Sequence, residues 1–165
     1  MKKNSGQSLL EFVLLIPILL LLILGTTEVV FMGRTYLAVL DISVAAARLG
    51  ANGIANYDNN DIYQFALDKM NIEGPAPEGL IDVIITRARL KNGVSVSDYS
   101  VERMKGSSQS TLFDPSYLVG KINAGDPSIG IVAVEILYDH PFLFSGTVFL
   151  PNSITIRAHS IQGVP

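Results

Sequence analysis

Two acidic residues, Glu11 and Glu28, lie in a stretch that carries no other ionisable side chain from residue 9 to residue 32. A carboxylate near the end of an apolar helix is suited to pairing with a positive charge on its own chain or on a neighbour. Cleavage after Gly6 would supply such a charge, because the new α-amino group of Gln7 would lie one helical turn before Glu11. The alternative is a Glu11 that stays ionised among lipid headgroups, and the spacing alone favours neither.

Glu28 also has two interpretations, which differ in where a membrane would end. If the apolar core of the bilayer reaches Met32, Glu28 is buried in it and must face a cation such as Arg34 or a neighbour's side chain. If that core ends near Thr26, Glu28 marks the outer interface. We favour the interface.

The element that positions both carboxylates is an apolar helix, since sixteen uncharged residues separate them. At about 1.5 Å per residue, a helix over residues 9–32 can cross a hydrocarbon core about 30 Å thick. Lys2 and Lys3 precede it without a compensating acid, which predicts a cytoplasmic N-terminus and an external remainder. Pro17 and Gly25 are candidate kinks, and Gly25 and Gly33 would let another helix approach closely.

A cleaved secretory signal is a competing interpretation of the same N-terminus. Such a signal has an apolar region of about 7–15 residues followed promptly by a small-residue cleavage site. The apolar run here is too long, and the small residues at 45–47 come well after it and favour a helix.

The helix is predicted to continue outside the membrane as an amphipathic stalk. Apolar residues persist from 28 to 48 with charged residues interspersed. Gly50, Asn52 and Gly53 then supply residues that commonly end helices. We expect the helix over residues 7–50, after a leader at 1–6.

Residues 51–165 are predicted to form an extracytoplasmic α+β domain. The polar cluster at 56–61 lacks the Gly and Glu that a calcium loop of the EF-hand type needs, so it favours a helix cap. One short helix is expected at 61–70, followed by a meander of about four antiparallel strands. The expected strands are 80–90, 94–104, 131–140 and 153–161, and the second has an irregularity near Asp98. An Asn92-Gly93 turn should follow the first strand, and residues 106–130 should form a partner-facing loop.

Composition limits the possible functions of this domain. The 165-residue chain has a net charge of −3, which gives no support for nucleic-acid binding, and it has no cysteine for disulfides or thiolate sites. His140, His159 and Asp139 could be brought together at strand ends, but solvated histidines are the favoured interpretation. No nucleophile elbow or phosphate-binding loop occurs. We therefore predict no enzyme, metal, cofactor or small-molecule substrate.

The N-terminal residues carry a family resemblance. Gly6, then four residues, then Glu11-Phe12 at the head of an apolar helix resembles the type IV pilin class of prepilins. The longer pattern resembles the TadE-like family of the Tad (Flp) pilus system more closely. The positions that carry it are dense at the start of the chain and sparse at its end: 6–17, Leu24, Gly25, Glu28, 45–48, Gly50 and 154–158.

This resemblance implies a pseudopilin or minor pilin that a prepilin peptidase processes. The processing residues would be Gly6 and Gln7, and the assembly residues would be Glu11, Phe12, Pro17, Gly25 and Glu28. Its partners would be the membrane, the peptidase, other pilin subunits and the pilus assembly platform. Phe12 stands where many Tad-type prepilins have Tyr, which together with the folded domain points away from a major Flp pilin.

The predicted function is a subunit of a Tad (Flp) type IV-like pilus or secretion system, anchored in the cytoplasmic membrane or incorporated in a pilus. The alternative is an uncleaved, single-pass anchored domain that binds a partner outside the membrane. The first predicts that substituting Gly6 or Glu11 abolishes processing or assembly, and the second predicts no effect.

Overall fold

The structure is a computed structural model that describes residues 5–52, 57–91, 95–119, 129–143 and 151–164. The described residues form a long helix, two shorter helices, a 3-10 turn and four strands. In chain order they are α1 (Ser5–Asn52), α2 (Asn59–Glu73), the 3-10 turn (Pro77–Gly79), β1 (Leu80–Lys91), β2 (Ser95–Arg103), α3 (Pro115–Val119), β3 (Ile129–Pro141) and β4 (Ser153–Val164). The predicted α+β class is confirmed.

The strands form one antiparallel sheet in the order β2-β1-β3-β4. The predicted meander order is wrong, because β3 pairs with β1 rather than with β2. Burial explains the difference: most of β1 is buried on both faces, which suits the interior of a sheet. β2 is rich in Ser and charged residues and is mostly exposed, which suits an edge.

The predicted irregularity in β2 is confirmed. Asp98 has a positive φ of 51°, an uncommon conformation that Asn and Asp tolerate better than most residues. The pairing of β1 with β2 shifts register between Arg87 and Arg89 at the same place.

The main core lies between the sheet and the two longer helices, α1 and α2. Alternate residues of β3 face the helices, and Val132, Val134 and Ile136 are fully buried there. Tyr138 ends this row, and its hydroxyl donates to the carbonyl of Ala76 at 3.0 Å. Burial raises the pKa of Tyr138 above its ordinary value.

The polar cluster before α2 acts as a helix cap, as predicted. Asp58 accepts from the N–H of Asp61 at 2.8 Å, and Asp61 accepts from the N–H of Asp58 at 3.1 Å, which is a capping box. Arg87 of β1 donates to Asn59 at 2.7 Å and to the Tyr57 carbonyl at 2.9 Å. These bonds tie the start of α2 to the sheet.

The other face of the sheet is covered by residues 104–119, the outer-face segment. Phe113 and Leu118 of this segment are buried beside Ala88, Ile131 and Ala133. The described part of the predicted 106–130 loop therefore packs against the sheet.

Several predictions lie outside the described residues. They concern the leader lysines Lys2 and Lys3, the helix end at Gly53, the Asn92-Gly93 turn and residues 120–128 of the predicted loop.

Candidate assembly helix

α1 runs as one helix from Ser5 to Asn52, and neither Pro17 nor Gly25 interrupts it. Its first turns include the backbone of Gly6 and Gln7. At about 1.5 Å per residue, Gly6 and Glu28 lie about 33 Å apart along the axis. The predicted processing and assembly residues are therefore spread along one helix and do not gather in a pocket.

The first half of α1 presents its apolar side chains outward. Within the described chain, one stretch, Leu9–Asn52, is long and apolar enough to cross a membrane, and an 18-residue part of it has a mean hydropathy of 2.7 with no residue buried. The large apolar side chains exposed in this half are Leu9, Leu10, Phe12, Val13, Leu14, Leu15, Ile16, Ile18, Leu19, Leu20, Leu21, Leu22, Ile23, Val29, Val30 and Phe31. A contiguous apolar surface of this size needs a bilayer or other apolar helices to cover it.

Polar side chains in this half are compatible with an apolar environment. The Thr26 hydroxyl donates to the Leu22 and Ile23 carbonyls at 2.9 Å each, and the Thr27 hydroxyl donates to the Ile23 carbonyl at 2.8 Å. Such bonds satisfy the hydroxyls within the helix, as a lipid-facing segment requires. Glu11 lies on the exposed surface at the start of the same half.

Glu28 lies where α1 passes from its exposed half to the sheet domain. Glu28 is only 5% exposed, although the next residue, Val29, is 64% exposed. Two turns later, the Thr35 hydroxyl and the Nδ1 of His140 form a hydrogen bond of 3.1 Å that joins α1 to the end of β3. Glu28 is thus buried by its own subunit, and its position at a membrane interface stays a prediction.

The second half of α1 packs on the sheet domain through one buried face, which has Val39 and Ile42 at its start and small residues toward its end. Ala46 and Ala47 are fully buried. A Cβ at Gly50 would come within 2.8 Å of Ile62 Cδ1 and 2.9 Å of Val132 Cγ1, so Gly50 permits close packing inside the helix rather than ending it as predicted. An added Cβ at Gly25 would meet nothing within 4 Å, which leaves that surface open to a neighbour.

Residues 6–48 match the family model described as TadE-like protein. This part of the chain is a TadE-like segment. It spans the exposed half of α1 and most of the half that packs on the sheet, and the resemblance expected from the N-terminal residues is confirmed there. No curated protein and no solved structure matches the chain significantly. The TadE-like segment and the apolar helix fit a Tad pilus-associated, pilin-like protein. TadE-like pilus proteins are structural rather than enzymatic.

Outside the TadE-like segment, two buried carboxylates that the sequence analysis missed hold the outer-face segment. Asp82 is fully buried and accepts from the N–H groups of Val83 and Lys105 at 2.8 Å each and of Ser107 at 3.1 Å. The sequence feature that could have indicated the buried Asp82 is an acidic residue inside a run of branched aliphatic residues in β1.

Glu135 of β3 is the second such carboxylate and is also fully buried. It accepts from Arg157 Nε at 2.9 Å, from the Leu112 N–H at 3.1 Å and from the Thr111 hydroxyl. Since a buried carboxylate is stable only when its oxygens are satisfied, this ion pair fixes both β4 and the outer-face segment. Its role is structural.

The two histidines lie on opposite faces of the sheet. His140 faces α1, whereas the ring of His159 lies edge-on to Phe113 with the ring centres 5.5 Å apart. Among the described residues, no group of three His, Asp or Glu side chains is placed to hold a metal ion. The structure therefore does not bring the histidines together.

Two ionisable residues, Tyr99 and Asp114, form hydrogen bonds with residues of the outer-face segment. The Tyr99 hydroxyl donates to the Phe113 carbonyl at 3.0 Å, and burial raises the pKa of Tyr99. Asp114 accepts from the Ser116 hydroxyl at 2.6 Å and from the Tyr117 N–H at 2.7 Å, and these bonds lower the pKa of its carboxyl. Both groups serve to order α3 and the chain before it.

Proposed function

We propose that the protein is a minor pilin or pseudopilin of a Tad (Flp) type IV-like pilus or secretion system. α1 anchors it in the cytoplasmic membrane, with the N-terminus inside and the sheet domain outside, and carries it into a pilus. The observation that supports this most directly is the uncovered apolar half of α1 within the TadE-like segment.

The continuity of α1 favours assembly over simple anchoring. About 20 apolar residues suffice to span a bilayer. Here the helix continues from the exposed half into the buried contacts of Ala46 and Ala47 without a linker. Packing the first half among neighbouring helices would therefore fix the orientation of every sheet domain, which a filament requires.

Glu11 is the proposed electrostatic guide in that assembly. It lies at the exposed head of the apolar half. After cleavage by a prepilin peptidase, the α-amino group of Gln7, in the same chain or in a neighbour, would pair with it and reduce the cost of placing a carboxylate at the edge of the membrane.

The first test is the N-terminal residue of the protein purified from its own membranes, by intact mass and terminal peptide sequencing. We expect a mature chain that begins at Gln7. A chain that retains Lys2 would contradict processing and favour the anchored binding domain. A new terminus near Ala47 would contradict both and indicate a secreted protein.

Matched variants separate processing from assembly. Gly6→Val should block cleavage, whereas Gly25→Val, the same change later in the helix, should leave cleavage intact. Glu11→Gln should be cleaved, inserted and folded, yet absent from sheared pili. Normal incorporation of Glu11→Gln into pili would exclude the proposed role of this carboxylate.

A further inference from the structure

The connection between β3 and β4 has an unusual composition. No ionisable residue occurs between His140 and Arg157. Its first residues, Phe142 and Leu143, follow β3 directly, and the Phe142 N–H donates to the Asn152 carbonyl at 3.2 Å, one pair beyond the ladder. Leu143 is 57% exposed. This apolar side chain, two residues beyond the end of β3, is thus left uncovered by the described residues.

The end of β3 points toward the exposed half of α1. Gly50 of α1 lies against Val132 near the start of β3, and Thr35 is hydrogen-bonded to His140 near its end. The helix and the strand are therefore antiparallel. Beyond His140, the chain runs toward the N-terminal end of α1.

The level of Leu143 along α1 follows from the rise per residue of an extended chain and of a helix. From His140 the chain continues for three residues to Leu143, two of them beyond the end of β3 at Pro141, and it can advance at most about 10 Å over this distance. Seven helical residues, from Thr35 back to Glu28, cover about 10.5 Å. Leu143 consequently lies between the level of Thr35 and that of Glu28, next to the start of the uncovered apolar surface.

We propose that Phe142 and Leu143 insert into the outer interface of the bilayer and give the protein a second membrane contact besides α1. This inference rests on the proposed function, because it takes α1 as the membrane span. Residues 9–27 are already long enough to cross the hydrocarbon core, which puts the headgroup boundary at the level of Leu143.

A lipid surface fits this hairpin better than a second protein. The contact is neutral and continuous in level with the lipid-facing helix. An interfacial hairpin would fix the rotation of α1 and hold the sheet domain upright against the membrane.

The absence of cysteine permits a direct test on the full chain. Single variants Leu143→Cys, Ile72→Cys and Leu20→Cys would carry an environment-sensitive fluorophore in vesicles of phosphatidylethanolamine and phosphatidylglycerol. Ile72 is the matched control, because it is apolar and 77% exposed at the end of α2. The nearby Gly74 lies against Ile42, about 21 Å beyond the level of Glu28.

We expect headgroup-proximal spin-labelled lipids to quench the probe at residue 143 about threefold more strongly than the probe at residue 72. Equal quenching at both positions, with residue 20 quenched by deep lipid labels, would overturn the inference and leave the anchor intact. A probe at residue 143 could instead be shielded from iodide without being quenched by lipid, and show energy transfer between copies. That result would overturn the inference in favour of a contact between proteins. If residue 20 is not quenched by lipid, the membrane span and the proposed function fail with it.

Discussion

The two halves of α1 share one continuous helix but occupy different surroundings. In the first half, bulky aliphatic residues occur on every side, and Leu20 is 52% exposed. In the second half, the buried residues lie on one face, and Val39 and Ala46 are fully buried while Asp41 and Arg48 stay exposed. A helix that is apolar all round needs lipid or other helices, whereas one with a single buried face can pack on a sheet and leave its charged residues in water.

The largest expected effect on domain stability comes from introducing an aspartate in the second half of α1, compared with the same residue introduced in the first half. Ala46→Asp buries an unpaired carboxylate between α1 and the sheet, so we expect the free energy of unfolding of the domain to fall by about 3 kcal/mol or more. Urea unfolding in detergent micelles, followed by circular dichroism, measures this loss.

Leu20→Asp is the matched change in the other half. It should leave the unfolding midpoint of the domain unchanged and reduce membrane insertion, since an acid at the centre of a span costs about 2.5–3.5 kcal/mol. Carbonate extraction of membranes reports the insertion. Equal destabilisation of the domain by both variants would show that the two halves do not differ as the structure indicates.

The second prediction compares two ion pairs outside the TadE-like segment. Glu135→Gln removes the charge that Arg157 meets in the interior, and we expect a loss of about 3 kcal/mol. Glu73→Gln removes the exposed partner of Lys69, a pair of 3.0 Å, and should cost less than about 0.5 kcal/mol. Thermal unfolding of both variants at the same salt concentration makes the comparison, and similar losses would contradict a stabilising role for the buried pair.

The long helix and the strands were predictable because they depend on local patterns. The apolar run, the alternation in β3 and the polar cap at Asp58 each predict one element from neighbouring residues. The order of the strands was not predictable in this way. It depends on how the strands pack against distant segments: β1 is buried on both faces in the middle of the sheet, while the mostly exposed β2 forms an edge.

The roles of the candidate site residues stay predictions, and only the family resemblance on which they rest is confirmed. Glu11 and Gly25 were found from spacing and from a family resemblance that is confirmed over residues 6–48. Contacts between distant segments were missed: the burial of Glu28, the close packing at Gly50, and the carboxylates of Asp82 and Glu135. Each depends on which distant residue lies opposite, and one sequence does not contain that information.

The third prediction contrasts two glycines of α1. Gly50→Ala should cost about 1–3 kcal/mol of domain stability, because Ile62 and Val132 must move to admit a methyl group. Gly25→Ala meets open space and should leave domain stability unchanged. The denaturant midpoints of the two variants measure this difference in stability. A Gly50→Ala variant as stable as the unchanged protein would mean that α1 packs less closely on the sheet than the contacts of Gly50 indicate.

The smallest effect concerns the outer-face segment, where order depends on exposed hydrogen bonds rather than on burial. The Ser116 hydroxyl and the Tyr117 N–H lower the pKa of Asp114, so the native carboxyl should titrate below the ordinary value of about 3.9. Because the folded pKa is the lower one, the stabilisation of α3 is present above the unfolded pKa and is lost as the pH falls through the folded pKa. Carboxyl NMR titration should therefore show the Asp114 midpoint rise toward the ordinary value in Ser116→Ala, which removes the largest cause of the shift. A midpoint that Ser116→Ala leaves unchanged would show that the cap of α3 does not depend on this hydroxyl, and that the backbone N–H of Tyr117 alone orders the turn.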